Sequence, residues 1–245
     1  MLRRIDHGDD DLIITLFTRE KGKISVIAKS AKKSVKRFSG VLDLFSVLQT
    51  VCTSGRGKGL LVLQEASLEQ LFPKIRENII KTAYASYWIE LINQWLEEGQ
   101  AQPQLYHLIR CMLEALDCDS MPEESLSILF QMRFLSLAGL SPNLDHCSAC
   151  KTATDKIQEK GITFDIRKGG LVCGGCGTNA PSTIHLSKGT IKQLQWSNRN
   201  DLKKAMRLKI TSVAIKEGLS FLEAFVPYHL GREPKSLGFL RKIRH

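Results

Sequence analysis

The chain has 245 residues, of which 35 are Lys or Arg and 25 are Asp or Glu, so it carries a net charge of +10. A chain of this length can bury a substantial hydrophobic core, which predicts one to three compact units. No apolar stretch reaches the roughly 18 residues of a membrane-spanning helix, and the first residues lack the apolar core of a signal peptide. We expect a cytoplasmic protein with no membrane partner.

The charge is unevenly distributed along the chain. Residues 1–64 contain 12 basic and 6 acidic side chains, whereas residues 65–146 contain 5 basic and 12 acidic ones. The final segment, 188–245, contains 13 basic and 4 acidic side chains. Two basic regions therefore flank an acidic one, which indicates nucleic acid or an acidic peptide as a partner.

The first 72 residues alternate between short apolar strands and turns. Strand patterns occur at 12–18, 23–28, 45–52 and 59–66, with a tight turn at 19–22 and a hairpin loop at 54–58. About five short strands in this length favour a small closed barrel over an open sheet. An acidic run at 9–11 offers oxygen ligands for a hard cation, but its place between two strands favours a turn.

Residues 19–37 concentrate basic side chains on this predicted barrel. The segment holds eight of them against the single acid Glu20. They are Arg19, Lys21, Lys23, Lys29, Lys32, Lys33, Lys36 and Arg37. Small Ser and Gly residues nearby allow a phosphate chain to approach, so we predict nucleic-acid contact rather than a merely solvated loop. Only Phe17, Phe38 and Phe45 are candidates for stacking, so we expect attraction to the backbone without base reading.

From residue 73 onward the apolar residues recur at helical spacing. Helices are predicted at 74–93, 103–116 and 123–137, the last ended by Gly139. A second set is predicted at 188–196, from about 200 to 209, and at 211–230, with Pro227 as a kink. Tyr84 and Trp88 lie at helical spacing, which favours packing in a helical core over ligand contact.

Two Cys-x-x-Cys pairs interrupt this helical region. Cys147 and Cys150 form the first pair, and Cys173 and Cys176 form the second. Their spacing is typical of a zinc ribbon, and the alternating residues at 161–166 predict a small hairpin between the pairs. Four thiolates close the metal's tetrahedron, so one bound Zn²⁺ would stabilise the fold rather than react; free or redox-active thiols are the alternative.

The remaining sequence features do not predict a catalytic site. Cys52, Cys111 and Cys118 stand singly in apolar or helical surroundings, and we expect ordinary buried thiols. The chain has no G-x-x-x-x-G-K-S/T phosphate loop, no G-x-S-x-G elbow and no H-E-x-x-H motif. We therefore expect no catalytic residues.

In order and spacing, the motifs of the chain resemble the RecO family of DNA repair and recombination mediators. The matching pieces are Gly8 and the segments 16–23, 28–33, 37–40, 134–142, 228–231 and 235–237. The resemblance implies an α+β fold, with an N-terminal OB-fold β-barrel followed by an α-helical domain that carries an inserted four-cysteine zinc-binding motif. The implied boundaries are 1–72 for the barrel, 73–146 and 177–245 for the two parts of the helical domain, and 147–176 for the zinc insertion.

The resemblance also implies a function without turnover. Proteins of this family bind single- and double-stranded DNA, anneal complementary strands, contact the acidic tail of single-stranded-DNA-binding protein, and work with RecR to load RecA. A cytoplasmic, nucleoid-associated location follows, and RecF is a further candidate partner. By this resemblance Lys29, Lys32, Lys33, Lys36 and Arg37 contact DNA. Arg133 falls near the acidic-tail pocket.

The chain departs from the family pattern in two places. It starts a few residues before His7, which predicts a short first strand, and Pro227 breaks a helix that relatives continue. Two other functions stay open. An OB-plus-zinc module that binds structured RNA in translation or ribosome assembly fits the same charge pattern. A zinc-dependent nucleobase enzyme is disfavoured, because four thiolates leave no activated water and no His-x-Glu pair is present.

Overall fold

A computed structural model describes residues 1–38, 40–55, 60–158, 161–177 and 182–244. Most of the predicted hairpin loop at 54–58, and Ser39, therefore lie outside the described residues. The chain divides into two compact units. Unit 1 comprises Met1–Cys118 together with Arg244, and unit 2 comprises Asp119–Ile243. Each unit contains both helices and strands, and the α+β class is confirmed.

Unit 1 begins with a five-stranded sheet. The strands are β1 (Arg3–His7), β2 (Asp11–Thr18), β3 (Gly22–Ala28), β4 (Val47–Thr53) and β5 (Leu61–Gln70), with a short helix α1 (Val35–Phe38) after β3. The order across the sheet is β1-β2-β3-β5-β4, and only the β3–β5 pair is parallel. Alternate residues of β2 and β3, such as Ile14, Leu16 and Val26, form the buried core of this sheet, as period-two patterning dictates.

The prediction of a closed barrel is wrong. Among the described residues β1 and β4 do not pair, so they form the two edges of an open sheet. All five residues of β1 are exposed, which means that this short strand does not fold back over the core. Two hydrogen bonds join the start of the chain to the segment before β4: the Met1 amine donates to Ser46 O at 2.9 Å, and Arg4 Nη1 donates to Leu42 O at 3.0 Å.

Three helices complete unit 1: α2 (Pro73–Glu77), α3 (Ile79–Trp95) and α4 (Pro103–Asp117). The sequence predicted one helix at 74–93, and the structure breaks it at Asn78. This residue is extended, and its side chain accepts hydrogen bonds from the amides of Ile80 and Lys81. Asn at this point caps a new helix, because its carbonyl replaces a helical acceptor. Ile79, which becomes the first residue of α3, is 59% exposed.

Unit 2 is built on five helices: α5 (Glu123–Leu137), α6 (Lys188–Arg199), α7 (Leu202–Ala205), α8 (Ser212–Leu230) and α9 (Lys235–Ile243). The predicted helix 123–137 is confirmed at both ends. Ser187 caps α6 and Asp201 caps α7 through their side chains, but α7 is much shorter than the helix predicted from about 200 to 209. After Ala205 the chain continues through tight turns, in which Arg207 N donates to Lys204 O and Leu208 N to Ala205 O.

Pro227 does not break α8, which continues to Leu230. Proline has no N–H, so the carbonyl four residues earlier, that of Glu223, loses its helical donor. Arg241 of α9 replaces this donor, because its Nη2 donates to Glu223 O at 3.2 Å while its Nε donates to Glu223 Oε2 at 3.1 Å. The predicted break is therefore compensated from another helix.

A three-stranded sheet is inserted between α5 and α6. Its strands are β6 (Gly161–Asp165), β7 (Gly170–Val172) and β8 (Thr183–Ser187), in the order β7-β6-β8, and all pairs are antiparallel. Phe164 of the central strand packs on α8, with ring centroids 4.5 Å from Phe221 and 5.2 Å from Phe225. The prediction that the cysteine segment interrupts a helical region is correct. In the described part of the chain, no helix is long and apolar enough to cross a membrane.

Candidate metal centre and nucleic-acid interface

The four predicted cysteines converge at the end of the inserted sheet. The Sγ atoms of Cys147, Cys150, Cys173 and Cys176 all lie within 4.8 Å of one another. The Sγ atoms of Cys150 and Cys173 are 3.7 Å apart. Tetrahedral zinc with Zn–S bonds of about 2.3 Å requires sulfur–sulfur separations of roughly 3.8 Å. The four residues can therefore hold a metal ion.

Local hydrogen bonds fold each pair into a turn. In the first pair Cys147 N donates to Thr152 O, and Lys151, which has a positive φ of 62°, donates its N–H to Cys147 O. In the second pair Cys176 N donates to Cys173 O at 3.0 Å. The two turns are joined directly, because Cys173 N donates to Cys147 Sγ at 3.4 Å. Main-chain amides thus point at a sulfur, which stabilises a thiolate.

A close backbone approach brings the two turns together. Ser148 N donates to Leu171 O at 2.7 Å, and Leu171 N donates to Asn143 O at 3.1 Å. A Cβ atom at Gly170 would lie 2.3 Å from Ser148 Oγ and 3.1 Å from Asn143 Cβ. A side chain at position 170 would therefore displace the Ser148 hydroxyl and crowd Asn143, so glycine favours the close approach of the first pair to the strand that leads to the second.

The four crowded thiols have different pKa values. Hydrogen bonding to the side chain and backbone of Thr152 lowers the pKa of Cys150 to about 6. Burial opposes ionisation of Cys147, but amides including that of Cys173 outweigh it and lower its pKa. The neighbouring sulfurs of Cys173 and Cys150 raise the pKa of Cys176 to about 12. A divalent cation among them relieves this repulsion, which is the chemistry of an all-thiolate metal site.

The sequence-based expectation that the three other cysteines are buried is wrong. Cys118 is exposed, while Cys52 and Cys111 are half-buried. Cys118 follows the last residue of α4, where a helix end leaves the side chain in solvent. Cys111 Sγ lies 3.5 Å from Nε2 of His107 one turn earlier on α4.

The basic segment 19–37 comprises the turn before β3, β3 itself, and the connection that leads into α1. Six of its eight cations are exposed: Arg19, Lys21, Lys29, Lys32, Lys33 and Lys36. Lys23 points inward within unit 1, where its Nζ donates to Asn93 O at 3.0 Å. Arg37 is half-buried, lies over the Phe38 ring at 4.9 Å from its centroid, and donates to Lys29 O. The structure thus leaves six of the eight predicted DNA-contacting residues open to solvent. Arg19 and Lys21 lie before β3 and the other four cations lie after it, so the two groups are at opposite ends of this seven-residue strand. We define the basic cluster as the four exposed lysines after β3, which are Lys29, Lys32, Lys33 and Lys36.

Acidic residues near the β1–β2 turn pair with these lysines. Lys29 Nζ lies 2.7 Å from Asp11, Lys32 Nζ lies 3.1 Å from Asp6, and Lys33 Nζ lies 2.7 Å from Asp10. Sequence reasoning treated the acidic run as a separate turn and missed these pairs. One signal was available. Leu12 pairs with Ala28 in the β2–β3 hairpin, so Asp11, one residue before Leu12, lies beside Lys29, one residue after Ala28.

Phenylalanines near the basic cluster are packed inside. Phe17, Phe38 and Phe45 are 8%, 3% and 6% exposed. A base cannot stack on a ring that is already covered by protein. The cluster therefore offers charge to a polyanion, without an aromatic surface beside it among these three residues.

Two family models match the chain over most of its length. The model described as Recombination protein O N terminal matches residues 1–72, and that described as Recombination protein O C terminal matches residues 76–238. The chain belongs to the RecO family. The resemblance inferred from the sequence motifs is confirmed, and the alternative of an RNA-binding module in translation is not favoured.

Several curated relatives carry the name DNA repair protein RecO. The one from Desulfatibacillum aliphaticivorans is 47% identical over 246 residues, which covers 100% of this chain and 95% of the relative. The one from Desulfosudis oleivorans is 42% identical over 250 residues, covering 100% and 96%. A more distant one, from Bacillus cytotoxicus, is 29% identical over 243 residues, covering 99% and 95%. The chain is thus a full-length match to proteins of DNA repair.

Arg133, the residue that the RecO resemblance assigned to an acidic-tail pocket, is half-buried in unit 2. Its Nη2 donates to Ser197 O at 2.8 Å and also to Asn200 O, at the C-terminal end of α6. Burial lowers the pKa of Arg133, and the negative charge of Asp201 raises it in partial compensation. The guanidinium is therefore engaged with the end of α6, and its contact with a RecO partner peptide stays a prediction.

Proposed function

We propose that this RecO-family protein is a DNA-binding recombination mediator without catalytic activity. It binds single- and double-stranded DNA through unit 1, anneals complementary strands, and helps RecR to load RecA onto DNA coated by single-stranded-DNA-binding protein. The observation that carries this proposal is the basic cluster of four exposed lysines that follows β3. A cytoplasmic, nucleoid-associated location follows from that role.

The chemistry of the cluster suits annealing. Two DNA strands repel each other through their phosphates, so a mediator has to neutralise both backbones and leave the bases free to pair. Lysines such as Lys32, Lys33 and Lys36 attract phosphates without occupying base edges. The covered rings of Phe17 and Phe38 do not compete for bases. Strand annealing therefore needs positive charge on the protein but no aromatic ring that stacks on the bases.

The cysteine site contributes to folding in this proposal. We assign it Zn²⁺, because four thiolates in tetrahedral reach suit this ion and leave no position for water. Cys147, Cys150, Cys173 and Cys176 would hold it, and its binding free energy would stabilise the inserted sheet. The sheet in turn packs on α8 through Phe164. Loss of the metal would therefore loosen unit 2 first.

Protein partners also belong to the proposal. They are RecR and the acidic C-terminal tail of single-stranded-DNA-binding protein, with RecF as a further candidate and RecA affected indirectly. An acidic tail is complementary to a chain with a net charge of +10. Arg133 would contact such a tail only if its hydrogen bonds to Ser197 O and Asn200 O were broken.

The deciding experiment is strand annealing on DNA coated with single-stranded-DNA-binding protein. We expect annealing with the full-length coating protein and a loss of annealing when its acidic tail is removed. A variant that replaces Lys32, Lys33 and Lys36 with Gln should anneal more slowly and bind all DNA sequences less well. If the wild-type protein neither binds DNA nor anneals it with either coat, the proposed function is wrong. Loss confined to particular sequences would contradict the electrostatic basis.

A further inference from the structure

A second concentration of positive charge lies in unit 2, between α6 and α8. Residues 199–209 contain five basic side chains and one acid, and all five are exposed: Arg199, Lys203, Lys204, Arg207 and Lys209. Arg199 pairs with Asp145 and Lys204 with Asp201. Within the described ranges Lys203, Arg207 and Lys209 form no ion pair. Three cations are therefore available to a polyanion.

The backbone that carries these cations is well fixed. Asp201 Oδ1 accepts a hydrogen bond from Lys204 N at 2.8 Å, and Ala205, only 2% exposed, anchors α7 to the core of unit 2. The bonds from Arg133 to Ser197 O and Asn200 O hold the preceding end of α6. A preordered basic segment loses less conformational entropy on binding than a flexible tail does.

An exposed aromatic side chain stands next to this segment. Trp196 is 40% exposed on α6, one turn before Arg199, whereas Trp88 is completely buried in unit 1. Both the backbone N–H and the side-chain amide of Asn200 donate to Trp196 O, which ties the residue to the start of the basic segment. An exposed indole one helical turn before Arg199, at the start of a basic segment, is a combination suited to unpaired bases and their phosphates.

We infer that Trp196 and the basic residues of 199–209 form a second DNA-binding surface, specific for single strands. The inference rests on the proposed function and extends it. The basic cluster of unit 1 has Phe17, Phe38 and Phe45 covered, whereas this surface offers charge and a stacking ring together. Duplex DNA keeps its bases stacked and cannot use Trp196, so the surface favours a single strand. An annealing protein needs sites for two strands, and a second site on a separate unit supplies one.

The charge part is tested by the variant Lys203→Gln/Arg207→Gln/Lys209→Gln. Its matched control is Lys216→Gln/Arg232→Gln/Lys242→Gln, which removes two lysines and one arginine from equally exposed positions of unit 2. The measurement is the affinity for a short oligothymidylate as salt is varied. Each lost phosphate contact on a single strand lowers the salt slope by about 0.7, so we expect a drop of about 2 in the variant and little change in the control.

The stacking part is tested at Trp196. Trp196→Ala should weaken single-strand binding by about fivefold to 150-fold, which corresponds to about 1–3 kcal/mol for one stacked base. Trp196→Phe should retain most of the affinity but lose the fluorescence quenching that oligothymidylate causes in the wild type. Duplex binding should change little in both variants.

The outcomes separate this inference from the proposed function. Equal effects of the test and control triple variants, or unchanged single-strand affinity in Trp196→Ala, would overturn the second surface while leaving annealing by the wild type intact. If the wild type binds no DNA at all, the proposed function itself has failed. Circular dichroism of each variant verifies that unit 2 is still folded.

Discussion

Removing two acids from unit 1 should strengthen DNA binding. Asp6 and Asp10 each pair with one lysine of the basic cluster, at 3.1 Å to Lys32 and 2.7 Å to Lys33. Exposed ion pairs of this kind contribute only about 0–1 kcal/mol to stability, so Asp6→Asn/Asp10→Asn should fold normally. Asp11 is excluded from the variant, because it also accepts a hydrogen bond from the amide of Ser30.

The size of the effect follows from counterion release. Two lysines freed to neutralise phosphates raise the magnitude of the salt slope by up to about 1.4 on single-stranded DNA, which corresponds to roughly tenfold tighter binding at low salt. Fluorescence anisotropy of labelled DNA over a salt series measures both quantities. The control Glu65→Gln/Glu77→Gln adds the same charge at exposed positions of β5 and α2. Equal gains in the two variants, or no gain in the first, would refute the reasoning that these acids mask a phosphate site.

The remaining predictions concern unit 2. Cys150→Ser should release the metal and lower the melting temperature, and DNA affinity should fall only as unit 2 unfolds. Zinc analysis and calorimetry measure these effects. A stable zinc-free variant with selectively lost DNA affinity would contradict the prediction. Gly170→Ala should cost about 1–3 kcal/mol in unfolding free energy, and adding Ser148→Ala should recover part of it; chemical denaturation measures both. Burial raises the pKa of Glu217, but hydrogen bonds from Thr190 and Ser187 outweigh burial and lower it. Its contribution is therefore present above the unfolded value of 4.5 and lost as pH falls below it. Glu217→Gln should destabilise the protein by about 2 kcal/mol at neutral pH and flatten the acid limb of the stability curve, which denaturation over a pH series measures.

Features with local causes were predicted well. Helix α5 was predicted at both ends, since Pro122 precedes its acidic first turn and Gly139 follows it with a positive φ of 74°. The approach of the two thiols within each cysteine pair was also predictable, because a Cys-x-x-Cys turn brings them together without reference to distant residues. Core residues such as Trp88 followed from helical spacing.

Features that depend on distant residues or on a choice between two local structures were missed. The break at Asn78 was hidden, because Ile75 and Ile79 keep the same spacing whether one helix or two are formed. Asp6 lies on β1 and Lys32 lies on the connection after β3. Predicting their ion pair therefore requires the register of the strands as well as the conformation of that connection. Sheet closure depends on whether the outer edge of β1 finds a partner, and residues that are all exposed give no apolar pattern to decide it.

The substitution of Arg241 for the donor that Pro227 lacks has a consequence for the order of events during synthesis. Pro227 cannot donate the regular helical hydrogen bond to the carbonyl of Glu223, and Arg241, which does donate to this carbonyl, lies 18 residues after Glu223. A nascent chain that has reached only Leu230 therefore lacks the guanidinium that contacts Glu223, a residue that is 4% exposed in the finished protein. Unit 2 therefore completes its folding only after α9 has been synthesised. The strands β1–β5 and the helices α1–α4 of unit 1, in contrast, all lie within the first 118 residues.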